Sequence, residues 1–151
     1  MNLEMRWDGT GEKVAVAIAI LHQDGKFLMQ LRDNIPNILY PGHWGFFGGH
    51  LELGETPEEA VRREVLEEID YEMRNPQFFT TSESEKVIRY VYHEPLLASV
   101  SELKLMEGWD FDLVTVDELR SLQRFSTRAD QVRPIGPVHA EILLKFAAEY
   151  F

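Results

Sequence analysis

The sequence Thr56-Pro57-Glu58-Glu59 marks the start of a helix, and this helix constrains the fold more than any other segment. The threonine hydroxyl accepts a hydrogen bond from the third helical residue, whose glutamate returns one, and proline suits the first helical position. Asn75-Pro76 disfavours a continuing helix. We therefore expect the helix to end near Ile69 or Asp70.

Three carboxylates share one face of this predicted helix. Because successive helical residues are about 100° apart, Glu64, Glu67 and Glu68 fall within an arc of about 100°. The neighbouring arc, which Arg62 interrupts, carries the apolar residues Val61, Val65, Leu66 and Ile69. Each like-charge pair on the acidic face costs roughly 0.2–0.5 kcal/mol. Such a cluster is typical of a site for a hard divalent cation or of a solvated acidic surface.

The longer segment 49–71 resembles the Nudix box, G-x5-E-x7-R-E-U-x-E-E-x-G-U, where U is a bulky aliphatic residue. The matching positions are Gly49, Glu55, Arg63, Glu64, Val65, Glu67 and Glu68. Asp70 stands where the family has Gly, Tyr71 replaces the last aliphatic residue, and Phe47 stands where many relatives have Pro. Because Asp tolerates left-handed backbone geometry, we expect Asp70 to terminate the helix.

The resemblance implies a role for each residue of the box. The implied metal ligands, for Mg²⁺ or Mn²⁺, are the carbonyl of Gly48 and the side chains of Glu64, Glu67 and Glu68. Arg63 and Glu55 are expected to pair and to hold the loop against the helix, because a guanidinium and a carboxylate form a bidentate contact. The general base of the family is either a glutamate of the box or an acid in a later loop, for which Glu107 is the candidate here.

The implied reaction is hydrolysis of the diphosphate linkage in a nucleoside diphosphate derivative by a metal-polarised water. A nucleoside triphosphate, oxidised or not, or a nucleotide sugar is the expected substrate. Arg32 and Arg89 are candidates for binding phosphate, and Trp44 is a candidate for stacking on a base. The alternatives are a Nudix-fold sensor that binds a nucleotide derivative without cleaving it, and an isoprenoid diphosphate isomerase, whose cysteine-dependent form is excluded because the chain has no cysteine.

The rest of the chain predicts a mixed α/β protein. Strands are predicted at residues 14–22, 26–32, 50–53, 77–81, 86–92, 96–100 and 111–114. Asp24-Gly25 between the first two strands indicates an antiparallel hairpin. Two further helices are predicted at 116–123 and at 137–150, the latter with Val138, Ile142, Phe146 and Tyr150 along one stripe. This order suits the Nudix-type α/β/α sandwich with a mixed central sheet, as one domain over residues 1–151.

Composition limits the partners. The 26 acidic and 15 basic residues give a net charge of -11, which disfavours binding along a nucleic acid but allows a small phosphorylated nucleotide at a cation site. The lack of cysteine fits a reducing cytoplasm. The most apolar run, residues 14–21, is far shorter than the roughly 20 residues that cross a bilayer, so no membrane association is expected. The sequence leaves open whether the protein is a monomer or a homodimer.

Overall fold

The computed structural model describes residues 6–151, and the first five residues of the predicted domain lie outside the described part. Within the described range, nine strands follow one another as β1 (Val14–Gln23), β2 (Lys26–Leu31), β3 (Trp44–Gly45), β4 (Phe47–His50), β5 (Gln77–Glu83), β6 (Val87–Pro95), β7 (Asp110–Val114), β8 (Gln123–Ser126) and β9 (Gln131–Pro134). The helices are α1 (Pro57–Ile69), α2 (Val116–Ser121) and α3 (Pro137–Tyr150).

Seven strands form one mixed sheet. β1 lies parallel to β6 and antiparallel to β4 and to the start of β2, while β2 also pairs with β3 and β7, and β5 lies outside β6. The β1–β2 hairpin turns at Asp24-Gly25, where both residues have positive φ, as the predicted Asp-Gly turn requires. β8 and β9 form a separate two-stranded sheet.

The sheet has a helical layer on each face, because the strand residues alternate between the two faces. On β1, Ala15, Ala17, Ala19 and Leu21 pack in the same cluster as Val61, Val65 and Ile69 of α1. Ile18 and Ile20 pack instead with Ile142, Leu143 and Phe146 of α3. The predicted α/β/α sandwich with a mixed sheet is therefore confirmed. Within the described residues, no helix is long and apolar enough to cross a membrane.

Helix α1 begins and ends as the sequence predicts. The Thr56 hydroxyl accepts from the Glu59 amide, and the Glu59 carboxylate accepts from the Thr56 amide. Asp70 adopts left-handed geometry (φ 54°, ψ 38°), and its amide donates to the Leu66 carbonyl. The substitution at the usual glycine position thus leaves the helix end in place, and α1 projects its acidic residues beside β4.

Two predictions about the strands were wrong. The strand placed at 50–53 lies earlier, at Phe47–His50, because these residues pair with β1 and Gly54 turns the chain at φ +78°. No strand forms at 96–100, since the Gln23 side chain donates to the carbonyls of Leu96 and Ala98 and a 3-10 turn follows at Val100–Glu102. The short β8–β9 hairpin was not predicted. In α3, Ile142 and Phe146 are buried as expected, but Tyr150 is 53% exposed.

Candidate active site

Two glycines let β4 pass close to both β1 and α1. Gly48 has φ +137°, and a Cβ there would collide with the carbonyl oxygen of Ala17. A Cβ on Gly49 would lie 2.7 Å from the carboxyl carbon of Glu64. Any larger residue at either position would separate β4 from its neighbours. The glycine pair therefore brings the end of β4 against the acidic face of α1.

Glu68 is the most buried acid of α1, with only 4% of its surface exposed. The Gly48 amide donates to its Oε1 over 2.8 Å. Burial raises the pKa of Glu68 to about 8. The Gly48 hydrogen bond opposes this rise, the negative charges of Glu64 and Glu107 add to it, and the charge of Arg32 opposes it. A carboxylate held among other carboxylates in this way gains from a nearby positive charge.

Glu64 and Glu67 are less buried than Glu68. Glu64 is half-buried and accepts a hydrogen bond from Nη1 of Arg63 over 2.9 Å. Burial is also the main reason that the pKa of Glu64 is raised. The Glu67 side chain is 56% exposed and lies 3.4 Å from the same Arg63 nitrogen. The helix therefore presents one buried, one half-buried and one exposed carboxylate.

Arg63 makes the contact that the sequence predicts. Its Nε and Nη2 donate to the two carboxylate oxygens of Glu55 over 2.7 and 2.9 Å, and Nη2 also donates to the carbonyl of His50 over 3.0 Å. The bidentate contact lowers the pKa of Glu55 and raises that of Arg63. One side chain thus joins α1 to the loop before it and to the end of β4.

A pocket of about 350 Å³ opens beside these residues. Its lining includes Glu64 and Glu68 of α1, together with Arg32 and Glu107. The Nε atom of Arg32 is buried and has no hydrogen-bond partner among the described residues. The pocket therefore combines three carboxylates with a guanidinium that is not paired to any of them.

Glu107 is held at the pocket by the backbone on both sides of it. The Met106 amide donates to the Glu68 carbonyl over 2.8 Å. The Gln30 side chain donates to the Glu107 carbonyl over the same distance. The Trp109 amide donates to Leu31 of β2, also over 2.8 Å. These contacts fix the 106–109 turn between α1 and β2, so the structure brings Glu107 to the acids of α1.

Two predicted substrate contacts lie elsewhere. Trp44 is fully buried in the core on the α3 face, and its indole donates to the Arg124 carbonyl, so the expected stacking on a base is wrong. Arg89 is not at this pocket either. It lies in a second pocket of about 300 Å³ between β5, β6 and α3, which shares no lining residue with the first.

Sequence reasoning missed several residues of the pocket, among them Gln30, Ile35 and Ile38. Gln30 is a buried amide in the otherwise apolar run Phe27 to Leu31, which is an available signal. Ile35 and Ile38 are apolar residues in a loop rich in turn formers, and Ile35 is 52% exposed. Their role depends on contacts between distant segments, which periodicity does not reveal.

The carboxylates do not converge on one point. Glu64 bonds Arg63, Glu68 bonds Gly48 and Glu67 lies outward, so within residues 6–151 no group of three His, Asp or Glu side chains is arranged to hold a metal ion. The donors themselves fit Mg²⁺, which takes oxygen ligands, keeps several waters and needs only one or two carboxylates. The burial of Glu68 beside Glu64 and Glu107 also favours a cation. The residues present fit a divalent ion after rotation of their side chains.

The sequence of this chain is similar to a known domain family and to known proteins. The model of the NUDIX domain matches residues 11–135. A stretch of 55 residues is 40% identical to the nucleoside triphosphatase NudI of Salmonella agona (strain SL483), an alignment that covers 36% of this chain and 38% of that protein. The chain thus spans well under half the length of this curated relative.

Two solved structures share the fold. The MutT protein from Methanosarcina mazei Go1 has a TM-score of 0.70 at 20% identity, with 93% of this chain and 96% of that chain covered. The NUDIX domain of Shewanella oneidensis NrtR, solved in complex with ADP ribose, also has a TM-score of 0.70, at 15% identity and with 96% and 94% covered. At these identities the likeness concerns the fold.

Proposed function

Since this chain belongs to the NUDIX domain family, we propose that it is a divalent-metal-dependent hydrolase that cleaves the diphosphate linkage of a nucleoside diphosphate derivative. The observation that carries the proposal is the buried carboxylate of Glu68 in a pocket shared with Glu64, Glu107 and Arg32. A solvated acidic surface, the other reading of the acidic helix face, would leave these acids exposed and would not place an arginine opposite them.

The ion, Mg²⁺ or Mn²⁺, would be held by the carbonyl of Gly48 and by Glu64, Glu67 and Glu68. When bound, it supplies a positive charge that polarises a water molecule and the phosphate oxygens. Water adds to one phosphorus, the bridging oxygen leaves with the other phosphate, and a carboxylate accepts the proton. Arg32 lines the same pocket, its buried Nε has no partner among the described residues, and its positive charge is proposed to orient the diphosphate.

We propose two carboxylates of the pocket, Glu68 and Glu107, as candidates to accept the proton of that water. In an Mg²⁺-supplemented assay, we expect Glu68→Gln to lower kcat by about 10²–10⁴-fold and to raise the Mg²⁺ concentration needed for half of the maximal rate. Glu107→Gln should lower kcat and leave the Mg²⁺ requirement unchanged if Glu107 is the base. The matched control is Glu72→Gln, an exposed acid after α1, which should keep full activity. Full turnover by a folded Glu68→Gln would reject the proposal.

We further propose a nucleoside triphosphate, oxidised or not, or a nucleotide sugar as the substrate. The similarity to a nucleoside triphosphatase supports the former. Arg89 is proposed to contact a part of the substrate beyond the scissile bond, because its guanidinium lines a second pocket. A panel of nucleoside triphosphates, nucleotide sugars, ADP-ribose and dinucleoside polyphosphates, with identification of the products, tests this. Nucleoside monophosphate from one class, and little turnover of the others, is the expected result.

Binding without cleavage is the second candidate. The likeness to the NUDIX domain of NrtR, which was solved in complex with ADP ribose, favours it. The complete acid set of α1 favours hydrolysis, since a sensor has no need to keep it. Calorimetric binding of a nucleotide in the presence of Mg²⁺ with no product after prolonged incubation would select the sensor. The net charge of -11 supports a small nucleotide over a long nucleic acid, and the lack of cysteine supports a cytoplasmic setting.

A further inference from the structure

The pocket beside Glu68 has two walls that come from separate loops. One wall is the segment between β2 and β3, which contributes Ile35 and Ile38. The other is the 106–109 turn, which contributes Glu107 and Gly108. Neither loop belongs to α1, so their relative position depends on contacts other than those of Arg63.

Arg133 of β9 contacts the first loop and the residue Trp109 of the second, from outside the pocket. Its Nε donates to the carbonyl of Gly42 over 2.9 Å, at the end of the first loop. Its guanidinium lies over the indole ring of Trp109, with the central carbon 5.9 Å from the ring centroid, next to the second loop. Nη1 also donates to Gln131 over 3.0 Å, which steadies the side chain on its own strand. Arg133 does not line the pocket.

Gly42 leaves room for the Arg133 side chain because it has no Cβ. Its φ is +65°, and a Cβ there would collide with Nη2 of Arg133. The Gly42 amide donates in turn to the carbonyl of Asp33 over 3.2 Å, which closes the base of the loop. Only glycine combines this backbone conformation with room for the guanidinium. The first loop is therefore fitted to Arg133 at the point where it rejoins the sheet.

We propose that Arg133 is a positioning residue for the reaction, which holds the loop of Ile35 and Ile38 in register with the turn of Glu107. This inference rests on the proposed hydrolysis at the same pocket. Because both loops line the pocket proposed to bind the substrate, loss of the tether weakens binding of the substrate more than it slows the bond-breaking step. The β8–β9 hairpin, which lies outside the segment that carries the acids, thus has a function in shaping the site.

The decisive variant is Arg133→Met, which keeps a long apolar side chain but loses the hydrogen bond and the charge over Trp109. We expect KM to rise about 5- to 20-fold and kcat to stay within about twofold, from the usual strengths of a hydrogen bond and a cation–π contact. Arg133→Lys keeps the charge and should recover part of the loss. The matched control is Arg128→Met, because Arg128 lies in the same hairpin over the ring of Phe111 but touches neither loop.

Hydrogen exchange gives a readout that does not need turnover. In Arg133→Met, backbone amides of residues 33–43 and 107–109 should exchange faster, while those of α1 and all amides of Arg128→Met near the pocket keep their wild-type rates. Unchanged exchange and unchanged KM would overturn the inference, as would equal effects in both variants. If wild-type protein hydrolyses no nucleotide, the proposed function fails, and the exchange result still decides the role of Arg133.

Discussion

Two arginines on opposite faces of the sheet differ in what surrounds them. Arg63, on α1, donates to both oxygens of Glu55, to Glu64 and to the carbonyl of His50. Arg89, on β6, is more deeply buried, at 5% exposed, yet within residues 6–151 it makes one hydrogen bond, 3.4 Å long, to Ser84 and no contact to a carboxylate within 4 Å. One guanidinium is neutralised by its own chain and the other is not.

We infer that this difference separates residues that support the site from candidates for binding the substrate. Burying a charge without a partner costs several kcal/mol of folding free energy. Such a residue is therefore a candidate for binding a ligand of opposite charge, because the ligand would offset that cost. Arg32, whose buried Nε has no partner in the described part of the chain, belongs with Arg89 in this respect. We therefore propose that pairing within the chain, more than burial, distinguishes a supporting arginine from one that binds the substrate.

The largest expected effect comes from removing the paired arginine. Arg63→Met leaves Glu55 and Glu64 without their partner and frees the end of β4. Because Arg63 is only partly buried, we expect a loss of about 2 kcal/mol in the free energy of unfolding, below the cost of breaking a fully buried pair. We also expect about a 10²-fold fall in kcat/KM from misplaced acids. Urea denaturation and steady-state kinetics measure the two.

Arg63→Lys sharpens the same point, since lysine keeps the charge but lacks the planar fork that reaches two oxygens at once. It should recover part of the stability and little of the activity. An unchanged urea midpoint in Arg63→Met would show that the pairing contributes nothing to the fold and would remove the contrast with Arg89.

An effect confined to acid pH is expected at His139, which lies near Arg89 and Arg32. Burial, and then the charges of Arg89, Arg32 and His43, lower the pKa of this ring to about 4, and its Nδ1 accepts from the Phe46 amide over 3.3 Å. Below pH 6.5, the ordinary pKa of a histidine, His139 binds a proton in the unfolded chain but stays neutral in the native protein until the pH approaches 4. The stability is therefore complete above pH 6.5 and falls as the pH decreases towards 4.

The size of this fall is limited by the pKa difference, which at about 1.4 kcal/mol per unit corresponds to at most about 3 kcal/mol. His139→Gln cannot titrate and still offers an acceptor to the Phe46 amide. The difference in unfolding free energy between wild type and His139→Gln should therefore shrink, or reverse in favour of the variant, between pH 7 and pH 4.5. Parallel curves over this range would show that the ring titrates as freely in the native protein as in the unfolded chain.

The sequence predicts the ends of α1 and the pairing of Arg63 far better than it predicts the surroundings of Arg32 and Arg89. Thr56, Asp70 and the contact of Arg63 with Glu55 are local or belong to a recognisable pattern, and the structure confirms them. The same pattern predicts that Glu64 and Glu68 act together, and both line one pocket in the structure. Local signals suffice there because capping, turn chemistry and helical periodicity act over a few residues.

The remaining contacts of the molecule join segments that are distant in sequence. Trp44 looks like a base-stacking residue in the sequence, but α3 and the carbonyl of Arg124 enclose it. Gln30 and Arg133 contact loops that lie more than sixty residues away, and the sequence around them does not show which loops these are. Whether an arginine is paired is likewise a property of the folded chain, which is why Arg32 and Arg89 were proposed from the sequence with no means to rank them.

The smallest effect tests the unpaired arginine itself. Arg89→Met exchanges an uncompensated buried charge for an apolar chain of similar length, so the free energy of unfolding should stay the same or rise by up to about 1 kcal/mol. KM for the preferred nucleotide should rise about tenfold, which corresponds to about 1.4 kcal/mol of lost binding. Lys145→Met, at the rim of the same pocket, is the matched control for a general loss of positive charge there. The sign of the change in unfolding free energy decides the comparison between Arg63 and Arg89. A loss as large as that of Arg63→Met would mean that Arg89 supports the fold, and binding of a ligand would then not be needed to explain why this arginine is buried.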